Sequence, residues 1–399
     1  MKSLLFKIEY IEYFILFLFS LGVLNMSSYW ILFLFVVTFL FKYSKKIYIT
    51  SDLCILTVLF TVFYFLYSFF YEEKIMLFSM IALFIGPVMG FLIGQKMIAG
   101  NEHVLKNVIF IVSGSNLIHG ILNLIKTPKA EIWFEQNIMD IWTGSKVTAT
   151  LNGAFFTGAI VLFCWLLFKK GAINKIFSIC MVAIIVWSST KTAERTLILN
   201  FILTLIVYLG GKVIFEKSKH KALLRCIKYF LIVLGALVVL VVVFVNDIGG
   251  IQTLFLETSL GKRLTMLDSL MQDGRSSASR EVLNALWKNP FGHYGDMFYA
   301  HNLVIDIGRL CGIIPMSIMV IYLIRILIRL FKLCKNQHMT FDIRLITFVF
   351  YFAYLVNFML EPVLEGMPMM FIAFCIVNGG VASFTCNDIY KNKIKITNE

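Results

Sequence analysis

Charge is scarce in this 399-residue chain: only 15% of its residues are Asp, Glu, Lys or Arg, against about a quarter in soluble domains. With 59% hydrophobic residues and a mean hydropathy of +0.85, that scarcity excludes a soluble core as the organising principle. The eight cysteines are Cys54, Cys164, Cys180, Cys226, Cys311, Cys334, Cys375 and Cys386. None falls in a long polar segment, so neither a disulfide framework nor a metal-type spacing is present. No Asp-x-Asp triplet occurs, which removes a common way of holding a divalent cation. No internal repeat is evident. A secretory leader is not expected, because Glu9 and Glu12 interrupt the first apolar run and no small-residue cleavage site follows it.

What the chain has instead is a ladder of apolar stretches. A helix needs about 20 apolar residues to cross the hydrocarbon of a bilayer. Such stretches lie near 8–24, 29–41, 53–70, 75–94, 107–125, 151–168, 173–190, 196–211, 229–246, 301–324, 343–360 and 368–385. The expected fold is therefore all-α and polytopic, one transmembrane domain over 1–399 with about twelve helices in a lipid bilayer. The net charge of +13 would point to nucleic acid in a soluble chain. Here alternate loops carry it: with the N-terminus cytoplasmic, 24 of the 36 Lys and Arg fall on the cytoplasmic side and 12 outside. The bias predicts both termini inside, and it makes the basic excess a matter of topology with no nucleic-acid partner implied.

Because a bilayer penalises unpaired polar groups, the outer segments are where chemistry is expected. The loop at 126–150 carries Lys126, Lys129, Glu131, Trp133, Phe134, Glu135, Trp142 and Lys146. Its aromatics suit either headgroup anchoring or stacking on sugar rings. The junction Ser188-Ser189-Thr190-Lys191-Thr192-Ala193-Glu194-Arg195-Thr196 precedes a span that Thr192 could cap, with Glu194 in its first turn. Lys191 and Arg195 put two cations where exposed helix amides already favour an anion, so their partner is either Glu194 or a bound phosphate.

The longest outer segment, 247–300, contains Lys262, Arg263, Asp268, Asp273, Arg275, Arg280, Glu281 and Lys288. The run from Ser279 to Trp287 reads as a short helix outside the membrane, ended by Asn289-Pro290 and by Gly292 and Gly295. His301, Ile305, Gly308 and Gly312 then share one stripe of an expected helix, with Asn302, Asp306 and Arg309 on the neighbouring one. Asp306 and Arg309 are expected to neutralise each other. His103, His220 and His338 read as solvated, His119 as a helix-contact residue, and His293 as a reserve candidate near His301. Glu361 and Glu365, one turn apart around Pro362, read as loop acids, or as a base beside the outer site.

Three pieces of this pattern together resemble the O-antigen polymerase and O-antigen ligase superfamily of membrane glycosyltransferases. They are the polar junction ending in Arg195-Thr196, Gly274-Arg275 followed by Asn289-Pro290-Phe291-Gly292, and His301-Asn302 opening a helix that contains Gly312-Ile313-Ile314. The likeness covers roughly 185 to 320. The chain departs from the family in having Glu194 where Ser is common, a wider pair of glycines at Gly292 and Gly295, and Pro315 where Gly is common. These departures leave Arg275 and Arg280 as alternatives for the principal loop arginine.

The resemblance implies a GT-C-like enzyme in a bacterial cytoplasmic (inner) membrane, facing the periplasm or cell exterior. It would transfer a glycan from undecaprenyl diphosphate to a sugar hydroxyl, by metal-independent inverting chemistry and with no cofactor. Arg195 with Arg275 or Arg280 would hold the departing diphosphate, assisted by Lys191, with Arg263 and Asn302 as further substrate contacts. His301 would take the acceptor proton or orient the acceptor. A chain-length regulator and a flippase are the partners such an enzyme would work beside. The expected reaction is polymerisation of O-antigen or capsule repeat units. The alternatives are a ligase acting on lipid A-core, and a transporter or lipid-linked oligosaccharide flippase. Against transport, charges deep in the spans are few, although Gly86-Pro87 interrupts one of them.

Overall fold

The computed structural model describes residues 2–71, 80–127, 138–215, 245–265, 274–335 and 339–397, except 293, 295, 296 and 298, together with isolated positions at 224, 227 and 242. It is almost wholly helical. In chain order the helices are α1 (Lys2–Ser20), α2 (Ser27–Phe41), α3 (Ser51–Phe70), α4 (Gly86–Ile98, entered through a π-helical turn Ile81–Ile85) and α5 (Glu102–Lys126). A two-stranded hairpin, β1 (Ile138–Met139) and β2 (Lys146–Val147), leads to α6 (Ala149–Phe155), α7 (Thr157–Leu166), α8 (Ala172–Thr192) and α9 (Arg195–Phe215). There follow α10 (Ile251–Glu257), α11 (Ser259–Thr265), α12 (Gly274–Lys288), α13 (Leu303–Cys311), α14 (Ile313–Lys335), α15 (Phe341–Leu360), α16 (Val363–Gly366) and α17 (Pro368–Thr397).

Among the described residues, seven helices are long and apolar enough to cross a membrane: α3, α5, the pair α6 and α7 taken together, α8, α9, α14 and α15. Three shorter apolar helices are Ser27–Phe41, Leu83–Ile98 and Pro368–Phe384. Helix α1 carries Lys2, Lys7, Glu9 and Glu12 and falls outside both groups. Within the seven, burial separates centre from periphery: 61% of the apolar window of α5 is buried and 28% of that of α3. The outward residues of α3 include Phe65 and Phe69, exposed side chains that water would not tolerate along a whole helix and hydrocarbon would.

The chain forms two compact units. The first comprises 1–119, 274–339 and 354–399, the second 120–273 and 340–353. In the first, α4 packs along α17 at backbone distance. A Cβ built on Gly94 would stand 1.8 Å from the Ile376 carbonyl oxygen, and one on Gly379 would stand 1.9 Å from that of Phe91. Glycines at these crossings are thus a geometric requirement, the device by which helices without a hydrophobic driving force gain contact. At one end of this unit, the buried Asp52 in the first turn of α3 pairs with Arg325 and Arg329 of α14. Arg329 also donates to the Asn378 side chain at 3.2 Å, and Asn378 donates to the Tyr322 hydroxyl at 2.8 Å. Lys42 meets the buried carboxylate of Glu12 at 2.7 Å. Lys42, Arg325 and Arg329, all on the expected cytoplasmic side, are structural partners of buried acids.

In the second unit, α7 packs on α8 and α9. Phe156 interrupts the span expected at 151–168, its amide bonding to Gly153 O at 2.9 Å so that α6 and α7 follow as separate segments. Asn123 of α5 bridges two elements, donating to Asn152 at 3.1 Å and accepting from the Ile141 amide at 2.8 Å beside the hairpin.

Two expectations are corrected. The span at 301–324 is not one helix: α13 ends at Cys311, Gly312 takes φ 86°, and the long helix begins at Ile313. The segment 247–300 holds α10 and α11 as well as α12, which itself extends beyond 279–287 to Gly274–Lys288. Residues 75–79 of the expected span at 75–94 and most of the span at 229–246 fall outside the described residues, as do Lys129, Glu131, Trp133, Phe134, Glu135, His220, Asp268, Asp273, His293, Gly295 and His338.

Candidate functional site

Two of the three pieces on which the resemblance rests lie in the first unit, and they are physically joined. Gly292 (φ 83°) and Gly312 lie against each other. A Cβ on Gly292 would stand 2.3 Å from the Gly312 nitrogen, and one on Gly312 would stand 2.3 Å from Pro290 O. The Ile313 amide donates to Pro290 O at 2.8 Å. The Asn289-Pro290-Phe291-Gly292 turn is therefore docked on the break between α13 and α14. This explains why both segments need glycine at the crossing.

Helix α12 is fixed on the same structure by its buried face. Val282 and Leu286 are buried, Leu286 against Gly308 of α13. Ser279 donates to Ala300 O at 3.1 Å, tying the helix to the residue before His301. Arg280, next along the helix, is exposed and has no ionic partner among the described residues. Arg275 lies in the first turn of α12 and Arg263 in α11.

His301 precedes α13 in a left-handed conformation (φ 52°), not on a helical stripe with Gly308 and Gly312 as its spacing implied. The strain is held from both sides by one carboxylate: Asp306 accepts from the Ala300 amide at 2.8 Å and from the Asn302 amide at 3.1 Å. Asn302 is the N-cap of α13, accepting from Val304 N at 3.0 Å and Ile305 N at 3.3 Å, while its amide nitrogen donates to Met359 O at 3.2 Å. Its side chain thus sets the turn that carries His301.

Opposite His301 stands Glu361. Its carboxylate is 1% exposed and its Oε2 lies 3.7 Å from His301 Nδ1, while the imidazole is 28% exposed. One ring edge faces a buried acid at ion-pair distance, longer than a hydrogen bond, and part of the ring remains accessible. Beneath, Arg309 is buried and completes the support. It pairs with Asp306 at 3.4 Å, as expected, and also with Glu365. It also reaches Met297 O at 3.3 Å and lies 5.0 Å from the Tyr299 ring centroid. Burial pushes the Glu365 carboxyl above the ordinary carboxylate range, and Arg309 opposes the shift. Burial likewise pushes the Tyr71 phenol up to about 12, so it stays protonated and donates to Leu310 O at 3.4 Å. The two acids near Pro362 are parts of this constellation, not bland loop residues. Their turn-apart spacing was the available signal.

The second unit holds the other expected cations. Lys191 donates to Leu124 O at 2.6 Å and to Thr127 O at 3.4 Å, so its ammonium satisfies carbonyls at the end of α5. Thr192 bonds back to Ser188 O at 2.8 Å and does not cap α9, because Ala193 (φ 55°) ends α8 and α9 begins at Arg195. Glu194 is buried directly before that helix, its Oε1 accepting from the Thr196 hydroxyl at 3.2 Å. Its carboxylate rests on Gly153, where a Cβ would come within 1.5 Å of Oε2. Arg195 is half-buried, with no partner for its guanidinium among the described residues.

Among the described residues no group of three His, Cys, Asp or Glu could hold a metal ion. No protein-family model matches the chain, and no curated protein matches it.

Proposed function

We propose that this chain is a membrane glycosyltransferase of the polysaccharide-polymerase type. It moves a glycan from undecaprenyl diphosphate onto the sugar hydroxyl of another lipid-linked repeat unit, in a bacterial cytoplasmic membrane with its site on the outer side. The twelve-helix GT-C-like arrangement with both termini inside belongs to the same proposal. The observation that carries it is the pairing of a partly accessible imidazole, His301, with a buried carboxylate, Glu361, beside a helix that carries a solvent-facing arginine, Arg280.

In this reading His301 takes the proton from the acceptor hydroxyl through Nε2 while Glu361 holds the Nδ1 edge. The acceptor oxygen bonds to the anomeric carbon, the bond from that carbon to the diphosphate oxygen breaks, and the diphosphate leaves with the electron pair. Arg280, with Arg275, stabilises the developing charge; a guanidinium fork matches two diphosphate oxygens at once. Asp306, Arg309 and Glu365 position His301 through the backbone and touch no substrate. Parts for Arg195 and Lys191 in diphosphate binding rest on the two cations before α9 and on the family resemblance, and that for Arg263 on the resemblance; the Lys191 ammonium already serves carbonyls of α5.

The test is complementation of a strain lacking this gene, scored by glycan length on a gel. The wild-type chain restores a ladder of repeats, whereas His301→Ala, Glu361→Gln and Arg280→Ala leave single-repeat glycolipid. Unchanged ladders in all three variants would remove the enzymatic reading. A deletion that leaves core without any repeat would make the reaction ligation.

A further inference from the structure

At one end of the second unit α7 and α9 finish and α15 begins, and these ends enclose a cavity of about 70 Å³ lined by Trp165, Phe168, Lys169, Tyr208, Lys212 and Asp342. Lys212, in the last turn of α9, is buried despite its charge, with Nζ 3.5 Å from the Phe168 ring centroid. The Lys169 ammonium lies 4.1 Å from the Trp165 ring centroid and pairs with Asp342, whose side chain is 54% exposed. The charged groups lining the cavity are thus two ammonium groups and one largely solvated carboxylate, a formal excess of positive charge. Aromatic faces add favourable contact to such cations.

Its position adds a second constraint. The helices that end or begin here are all apolar enough to cross a bilayer, so the cavity lies where such helices meet the headgroup layer. Trp165 and Tyr208 are the amphipathic ring types that favour this layer. We infer that this cavity binds the phosphate of an anionic phospholipid, with the ammonium groups on the phosphate and the rings against the glycerol and upper acyl chain. A free phosphate ion would use the cations and leave the rings without a role. The inference stands independently of the proposed glycan transfer.

Native mass spectrometry of the full-length protein in mild detergent tests it. The probes are phosphatidylglycerol, phosphatidylcholine with the same acyl chains, and inorganic phosphate. The wild-type chain should retain phosphatidylglycerol in preference to phosphatidylcholine, and inorganic phosphate should not displace it. The Lys169→Gln/Lys212→Gln double variant should lose about tenfold or more of that preference, and Lys212→Arg should keep it. Asp342→Asn removes the competing carboxylate and should tighten phosphatidylglycerol binding, a gain that a merely structural role for this cluster does not give. Should the lysine variants fail to fold, the exposed Asp342 variant decides alone. Equal retention of the two lipids, wild-type binding by a folded double variant, weaker binding by Asp342→Asn, or displacement by inorganic phosphate would each overturn the inference.

Discussion

His301 Nδ1 lies 3.7 Å from Glu361 Oε2, an accessible imidazole against a carboxylate that is almost completely buried. If Glu361 orients the ring, Glu361→Gln keeps the shape and removes the charge. Transfer should then slow by about 10²-fold or more, within the range by which a positioned proton acceptor contributes. The pH profile of the residual rate should shift, which is read by assaying initial rates across pH. A merely structural glutamate would change yield or melting temperature and leave the profile where it was.

Arg280 is exposed, so its substitution separates chemistry from folding. Arg280→Ala should leave thermal unfolding within about 0.5 kcal/mol of wild type and still abolish chain extension, while Arg280→Lys restores only part of it because an ammonium lacks the guanidinium fork. Unfolding monitored by fluorescence, alongside the glycan ladder, checks both halves.

Glu194 and Gly153 should be coupled in the second unit. A Cβ on Gly153 would overlap the Glu194 carboxylate, so Gly153→Ala should cost about 1–3 kcal/mol through overpacking. Glu194→Ala in the same chain should recover part of that loss. Additive losses in the double variant, measured by thermal unfolding, would show that the two groups do not share the space.

Asp52 is a buried acid between two arginines, Arg325 and Arg329. Removing one charge of such a cluster leaves the others uncompensated, at a cost of about 3–5 kcal/mol for a buried pair. Asp52→Asn should therefore lower the unfolding temperature strongly. Adding Arg329→Met should return part of the stability, because it removes the stranded cation.

The apolar ladder was legible because bilayer thickness dictates the length of each run, and helices such as Ser51–Phe70 and Phe341–Leu360 follow the expected spans closely. The break at Gly312 was not, since Ile313-Ile314 continues the apolar run without a pause. Only the docked Pro290 carbonyl shows why the chain turns there. Of the site, the Asp306 and Arg309 pair was readable from helical spacing. The roles of Glu361 and Glu365 were obscured because an acid beside a proline in a short turn has the same local pattern whether it is solvated or buried. Lys191 stands out in the sequence as a cation just before an expected helix, and Asn302 through the His301-Asn302 pair that carries the resemblance. Both meet backbone partners, α5 carbonyls and α13 amides respectively, and backbone demand leaves no mark on the residue type that meets it.

The most direct measurement is chain extension by the purified protein in liposomes supplied with undecaprenyl diphosphate-linked repeat units. The account predicts that the wild-type chain builds polymers while releasing undecaprenyl diphosphate, and that His301→Ala, folded to the same melting temperature, does neither. Polymer formed by His301→Ala at the wild-type rate would contradict it, as would a wild-type chain that carries the intact lipid-linked unit across the bilayer and extends nothing.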